Sequence, residues 1–326
     1  RVRSLLNEYK IGSFKGSLPF LGGAAGYFSY DLGFCLEDIK RICANGLDLP
    51  EMVLGFYDVI IAIDYIENKL SIISTGFPEK DPMLSKRRAE NRMKEVEAIL
   101  SRMDASQSNL GPECVFKARP CGITSNFTKA QYLDAVRKAK RYIEEGDIYQ
   151  VNLSQRFSCN ISESSSELYK RLRAVSASSF SAYFNAGDFQ VLSSSPERFL
   201  LFDGGNVYTR PMKGTRARGK DILQDKYNRV DLWNSPKDKA ELVMIVDLMR
   251  NDLGKVCEYG SIKVDPMRTL ETYSTVYQTT ATVSGRLHRD KDRVDLLKAC
   301  FPGGSVTGCP KIRAMRIIEE LEPDRR

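Results

Sequence analysis

Four stretches of the sequence hold residue types that could do chemistry. Glu197 sits in Ser193-Ser194-Ser195-Pro196-Glu197-Arg198-Phe199, where a carboxyl group flanked by strand-like sequence could pass a proton. Lys213 sits in Arg210-Pro211-Met212-Lys213-Gly214-Thr215-Arg216, and a lysine amine is a nucleophile when it is neutral. Glu241 interrupts an otherwise apolar helical segment. The run Gly303-Gly304-Ser305-Val306-Thr307-Gly308-Cys309-Pro310 leads into a helix N-terminus, where backbone N–H groups favour anions.

Each of the four also has an ordinary reading. Glu197 could be a strand carboxylate paired with Arg198 or Arg210. Lys213 could be solvated, as most lysines are. Glu241 falls in the first turns of its helix, where a carboxylate complements the dipole. The glycine run could be a tight connection. Gly303 and Gly308 have G-x-x-x-x-G spacing, but Cys309-Pro310 stands where a phosphate-binding loop needs Lys-Ser/Thr.

Other chemistries are excluded by composition. His288 is the sole histidine, which removes histidine triads and multi-histidine metal sites. A metal would rest on carboxylate oxygens, a donor set suited to a hard cation such as Mg²⁺. The eight cysteines form no C-x-x-C pair, so they read as scattered thiols of a reducing cytoplasm. Lys plus Arg (49) exceeds Asp plus Glu (42) by seven, a modest pull on anions in general. No zinc-finger spacing or RNP-type aromatic pattern accompanies it, so nucleic acid is not the expected partner. No apolar run reaches the ~18 residues of a membrane span, and no basic-then-apolar start suggests a signal peptide.

The elements that must position these residues follow from pattern. Residues 1–80 read as strands and turns, with strands at Val59–Ile63 and Leu70–Ser74 around a turn near Glu67-Asn68. Residues 84–103 read as a charged amphipathic helix. Thr128 with Gln131 forms a capping box and Gly146 supplies a stop, bounding a helix with Tyr132, Val136, Ala139 and Ile143 on its apolar face. Ile148–Phe157 alternates: Tyr149, Val151, Leu153 and Phe157 on one side, Gln150, Asn152, Ser154 and Arg156 on the other. That polar side is either a site wall or a solvent edge. Residues 180–218 and 261–287 read as strands. A helix opens at Ser235 with Pro236 in its first turn and Asp238 at N3, and runs to about Arg250; its stretch Leu242–Val246 is apolar all round and should be deeply packed. A last helix begins at Pro310.

Together these segments resemble the chorismate-utilising enzymes. The matching strings are Gly146-Asp-Ile-Tyr-Gln-Val-Asn-Leu-Ser-Gln-Arg156, Ser195-Pro-Glu-Arg198, Arg210-Pro-Met-Lys-Gly-Thr-Arg216, Lys239-Ala-Glu-Leu-Val-Met-Ile-Val-Asp-Leu-Met-Arg-Asn-Asp-Leu-Gly254 and Phe301-Pro-Gly-Gly-Ser-Val-Thr-Gly-Cys-Pro-Lys311. Leu18-Pro-Phe-Leu-Gly-Gly-Ala-Ala-Gly-Tyr-Phe-Ser-Tyr-Asp31 extends the match toward the N-terminus.

The resemblance implies an α+β fold of two stacked antiparallel β-sheets flanked by helices, with the site between the sheets. It implies a partial N-terminal region (1–103), a linker (104–114) and a chorismate-binding catalytic core (115–326). Family members that add water carry a lysine base where this chain has Gln150, and anthranilate synthases carry alanine where it has Lys213. Lys213 therefore resembles the aminodeoxychorismate synthase branch, which aminates chorismate at C4 with ammonia from a glutamine amidotransferase subunit. In that reading Lys213 is the nucleophile, Glu197 the acid/base carboxylate and Glu241 a Mg²⁺ ligand. Arg210 and Arg216 are neighbours that could help lower the affinity of Lys213 for its proton. Thr215, Gln278, Ser305, Thr307 and Gly308 contact the substrate, the last three through hydroxyl and backbone N–H donors. Asp238, one turn before Glu241, is read first as a capping residue. Gln278 replaces the usual histidine and carries no proton, and Cys309 replaces the usual alanine. The close alternative is an anthranilate synthase component I; the alternative of another class is a non-catalytic subunit that binds a partner or nucleic acid. Residue 1 is Arg, and family residues expected beyond the last helix do not follow, so the chain is expected to be a piece of a longer protein and inactive by itself.

Overall fold

The computed structural model describes residues 1–11, 18–44, 46–102 and 122–326; the expected linker 104–114 lies outside them. The chain packs as two units. One comprises Arg1–Phe28 and Met52–Lys117, the other Ser29–Glu51 and Ala118–Arg326. Residues 29–51 thus pack with the later part of the chain rather than with the first hundred residues.

The first unit holds α1 (Val2–Glu8), β1 (Gly23–Phe28), β2 (Met52–Tyr57), β3 (Val59–Asp64), β4 (Lys69–Ser74) and α2 (Pro82–Ser101), with β1–β2 and β3–β4 paired antiparallel. The β3–β4 turn forms because the Asp64 carboxylate accepts from the Ile66 and Glu67 N–H groups, and Asn68 takes a left-handed φ of 49°. α2 starts two residues earlier than its periodicity suggests: Asp81 caps the Met83 and Leu84 N–H groups and Pro82 fills the first turn. α1 corrects the all-strand reading of residues 1–80. Val2, Leu5, Leu6 and Tyr9 have the i, i+3, i+4, i+7 spacing that signals it.

In the second unit the chain runs β5 (Thr124–Ser125), α3 (Lys129–Glu144), β6 (Gln150–Val151), β7 (Phe157–Ser158), α4 (Ser165–Val175), β8 (Phe180–Asn185), β9 (Gln190–Ser195), β10 (Arg198–Asp203), β11 (Asn206–Arg210) and β12 (Met212–Ala217). It continues through α5 (Ile222–Asn234), α6 (Pro236–Gly254), β13 (Lys263–Val264), β14 (Thr269–Thr272), β15 (Val276–Thr280), β16 (Val283–Arg286), α7 (Arg293–Cys300), β17 (Gly308–Cys309) and α8 (Lys311–Leu321). Two antiparallel sheets dominate, in spatial order β10-β11-β16-β13 and β12-β15-β14. Gly204-Gly205 joins β10 to β11 with both φ positive, the two-residue turn that matches strand twist.

Local signals hold where they are self-contained. The capping box of α3 forms in full, and Gly146 follows the helix at φ 82°. Ser235 caps α6 through the Asp238 N–H at 3.2 Å. α6 buries Leu242, Ile245, Val246, Met249 and Leu253 against Val207 and Val283 of the four-stranded sheet. Val243 corrects the all-round reading: it is 43% exposed, so even this helix keeps an outward face. A second core joins α3 to α8 through Ala135, Ala139, Ala314 and Ile317.

The alternation of 148–157 is overturned. Only Gln150–Val151 and Phe157–Ser158 are strands, and Tyr149 and Phe157 are exposed. Val151 and Leu153 still pack on the α3–α8 core, and the polar side also bonds inward. Asn152 bonds the Ser305 carbonyl, Ser154 the Glu322 carboxylate and Arg156 that of Asp324. Among the described residues no helix is long and apolar enough to cross a membrane.

Candidate active site

Glu197 occupies the corner between β9 and β10. It pairs with neither arginine of the surface-pair reading. The Arg198 guanidinium lies over the Phe180 ring, and Arg210 binds Glu271. The Glu197 carboxylate instead turns inward, where Ser305 Oγ donates to Oε1 at 2.6 Å and the Met212 backbone N–H also donates. Burial is the largest influence and pushes its pKa up; the Ser305 hydroxyl, the Lys213 charge and the Met212 N–H pull it partly back. The net rise means that Glu197 holds its proton longer than an ordinary glutamate, as a general acid must.

Lys213 lies on β12 opposite Thr279, whose hydroxyl donates to the Lys213 carbonyl at 2.5 Å. The register breaks just after it. Lys213 and Thr215 pair with consecutive residues of β15, Thr279 and Gln278, so Gly214 is an inserted bulge residue. Gly214 has φ 75°, and a Cβ there would come within 2.9 Å of Leu232 Cδ1 and 3.0 Å of Asp238 Cβ. Only glycine lets β12 bulge while pressed against α5 and α6. Gln278 Nε2 donates to Thr215 Oγ1 at 3.3 Å, which brings these two expected contact residues together on neighbouring strands. The two flanking arginines are committed elsewhere: Arg216 reaches Asp231 at 2.6 Å and Asp238 at 3.1 Å, and Arg210 goes to Glu271.

The Gly303–Gly308 loop is fastened by its own atoms. Thr307 is fully buried, and its hydroxyl donates to the Gly303 and Gly304 carbonyls at 2.9 and 3.2 Å. That hydroxyl, expected as a donor to the substrate, is used within the loop. Gly308 sits at φ 148° opposite Val151, and a Cβ would meet the Gln150 carbonyl at 2.2 Å. Ser305 is the hydroxyl that remains directed at Glu197.

Glu241 projects from α6 half-exposed, with Lys237 3.8 Å away. Its carboxylate is therefore open to a further partner. Asp238, one turn earlier, is buried and bound to Arg216, so it serves the fold. Among the described residues no three His, Cys, Asp or Glu side chains converge as a metal cage. Glu241 fits a hard cation only as one ligand among several, the way Mg²⁺ is commonly held with substrate oxygens and water.

The sequence pattern of the family described as chorismate binding enzyme matches residues 2–326. The chain belongs to that family. It is similar to aminodeoxychorismate synthase component 1 of Klebsiella aerogenes, with 39% identity over 309 residues, covering 95% of this chain and 64% of that protein. It is similar to anthranilate synthase component 1 of Thermus thermophilus, also at 39% identity, covering 94% of this chain and 64% of that protein. The crystal structure of anthranilate synthase component I from Streptococcus pneumoniae superposes with a TM-score of 0.85 at 29% identity, covering 100% of this chain and 71% of the other. The chain spans just under two thirds of the length of the curated relatives it matches. The expected fold class is borne out: an α+β chorismate-utilising fold of antiparallel sheets with helices.

Sequence reasoning missed two features around this site. Asn152 pins the Ser305 loop, through Nδ2 to the Ser305 carbonyl at 3.1 Å and its N–H to the Thr307 carbonyl at 2.7 Å. Lys311, in the first turn of α8, is buried against Asp252 and donates to the Cys300 carbonyl at 2.8 Å. A lysine at a helix N-terminus opposes the dipole, and an aspartate late in an apolar helix is equally out of place; these oddities were the available signal.

Proposed function

We propose that the protein is component I of an aminodeoxychorismate synthase, converting chorismate and ammonia to 4-amino-4-deoxychorismate. The observation that carries the reading is the place of Lys213 on β12, next to Met212, whose backbone N–H donates to the inward-turned Glu197 carboxylate. Identity reaches 39% with members of both the aminodeoxychorismate and the anthranilate branch, so this lysine favours amination at C4 more sharply than overall similarity does.

In this reading the neutral Lys213 amine attacks C2 of chorismate. Both ring double bonds shift, C1=C2 to C1=C6 and C5=C6 to C4=C5, and the C4 hydroxyl departs as water with the proton of Glu197. Ammonia then bonds to C4, both double bonds shift back, and the Lys213 C–N bond breaks to return the neutral amine. Ser305 orients the acid, and Thr215 with Gln278 lines the ring's edge. Glu241 would hold Mg²⁺, which when bound offsets the charge of the ring carboxylate. Ammonia would come from a glutamine amidotransferase subunit. The six free thiols among the described residues suit a reducing compartment, the cytoplasm.

The test is product mass spectrometry after incubation with chorismate, Mg²⁺ and an ammonium salt. An amino compound that keeps its enolpyruvyl group supports the proposal. Anthranilate with free pyruvate would move the protein to the other branch.

A further inference from the structure

α5 exposes most of its apolar side chains. Leu232 is fully buried, but Ile222, Leu223, Tyr227, Val230 and Trp233 are 47% to 86% exposed. At 100° per residue these five fall within an arc of about 140°, a complete amphipathic stripe turned outward. An exposed apolar stripe of this kind, interrupted by Lys226, marks an interaction surface. Beside it opens a cleft of about 510 Å³ lined by Arg229, Val230, Trp233, Arg268, Thr269 and Leu270. The Arg268 guanidinium lies 4.9 Å from the Trp233 ring centroid and donates to the Trp233 and Leu232 carbonyls at 2.7 and 2.8 Å. It thereby caps α5 and fixes the indole as one wall of the cleft.

The charges around this face are one-sided. Asp225 is taken up by Arg218 and Tyr277, Asp231 by Arg216, and Asp221 caps the helix. Lys226, which lies inside the apolar arc, and Arg229, on the rim of the cleft, have no ion-pair partner among the described residues. A second copy docking here about a two-fold axis would set these cations against themselves.

We propose that the α5 face and its cleft dock an acidic amphipathic segment of a partner protein. An aromatic or long aliphatic side chain fills the cleft, and carboxylates beside it pair with Lys226 and Arg229. The inference is independent of the reaction proposed above.

Trp233 is the only tryptophan in the chain, so its emission reports on this surface directly. The probes are a synthetic helical peptide of roughly four turns, with Leu and Phe at i, i+3, i+4, i+7 and Glu beside them, and its Lys-for-Glu counterpart. The expected result is a saturable blue shift with the Glu peptide and roughly tenfold weaker binding of the Lys peptide. Arg229→Glu should weaken the Glu peptide by a similar factor without changing the circular dichroism melt. Equal binding of both peptides, or no shift, overturns the proposal. So does a blue shift that grows with protein concentration alongside a dimer in sedimentation velocity, which would assign the face to a second copy. A Trp233 emission already blue-shifted in the monomer would show the face covered by its own chain and overturn it too.

Discussion

Lys311 and Lys213 each face a carboxylate, Asp252 and Glu197, in very different surroundings. Around Lys311 the partners are in direct contact. Asp252 is buried, bound by Lys311 and by Lys255 at 3.1 Å, and the Lys311 ammonium also holds the Cys300 carbonyl. Burial lowers the Lys311 pKa, and the Asp252 charge pulls it back. Around Glu197 the partners are one hydroxyl, one backbone N–H and a lysine that acts on it by charge and not by an ion pair. The buried ion pair fastens α8 to α6. Lys213 and Glu197 form no ion pair among the described residues, so both keep capacity for a reacting group, and this separates a structural ion pair from a candidate acid and nucleophile.

The comparison can be broken first at its reactive end. Lys213→Ala should lower C4 amination by on the order of a thousandfold and abolish any covalent adduct in intact-protein mass spectra, with an unchanged melt. An unchanged rate would remove Lys213 from the chemistry. At the structural end, Lys311→Ala should cost about 3 kcal/mol in urea unfolding, because it strands Asp252 with Lys255 alone. Lys311→Met with Asp252→Leu should recover most of that loss. If the single substitution is harmless, the pair is not the fastener described here.

A third carboxylate isolates burial from pairing. Asp31 is buried, and desolvation raises its pKa to about 6 against the partial relief of Arg41. The folded state then binds the proton more tightly than the unfolded one. The stability this contributes is full below about pH 4 and lost as pH rises through about 6. Asp31→Asn should therefore gain roughly 2 kcal/mol over the parent above pH 6 and nothing below pH 4. A gain of the same size at both pH values would mean that charge burial is not its source. The smallest effect is expected from Ser305→Ala. Removing the donor takes away one influence holding the Glu197 pKa down, so the alkaline limb of the pH–rate profile should move up while the rate falls roughly tenfold. A limb that stays put would separate Ser305 from the acid.

Much of this was legible in short range. The Thr128–Gln131 box, the Ser235-Pro236 start and the Gly204-Gly205 turn each hold their physical cause within a few residues. The site segments were legible through resemblance, and Glu197 and Ser305 do come together, with the Lys213 charge acting on Glu197. The stretch 148–157 misled because its alternation has two solutions. Distant carboxylates of Glu322 and Asp324, and the Ser305 carbonyl, decide that the polar side turns in.

The sequence by itself determined where helices begin, where the chain turns and which side chains are capable of chemistry, because capping, φ preference and protonation are properties of residues and near neighbours. Only the tertiary structure decided that Thr307 faces inward, that Arg210 and Arg216 are occupied, and that α5 carries its apolar face outward. Those outcomes depend on partners far apart in sequence, and burial and ion pairing act through space rather than along the chain.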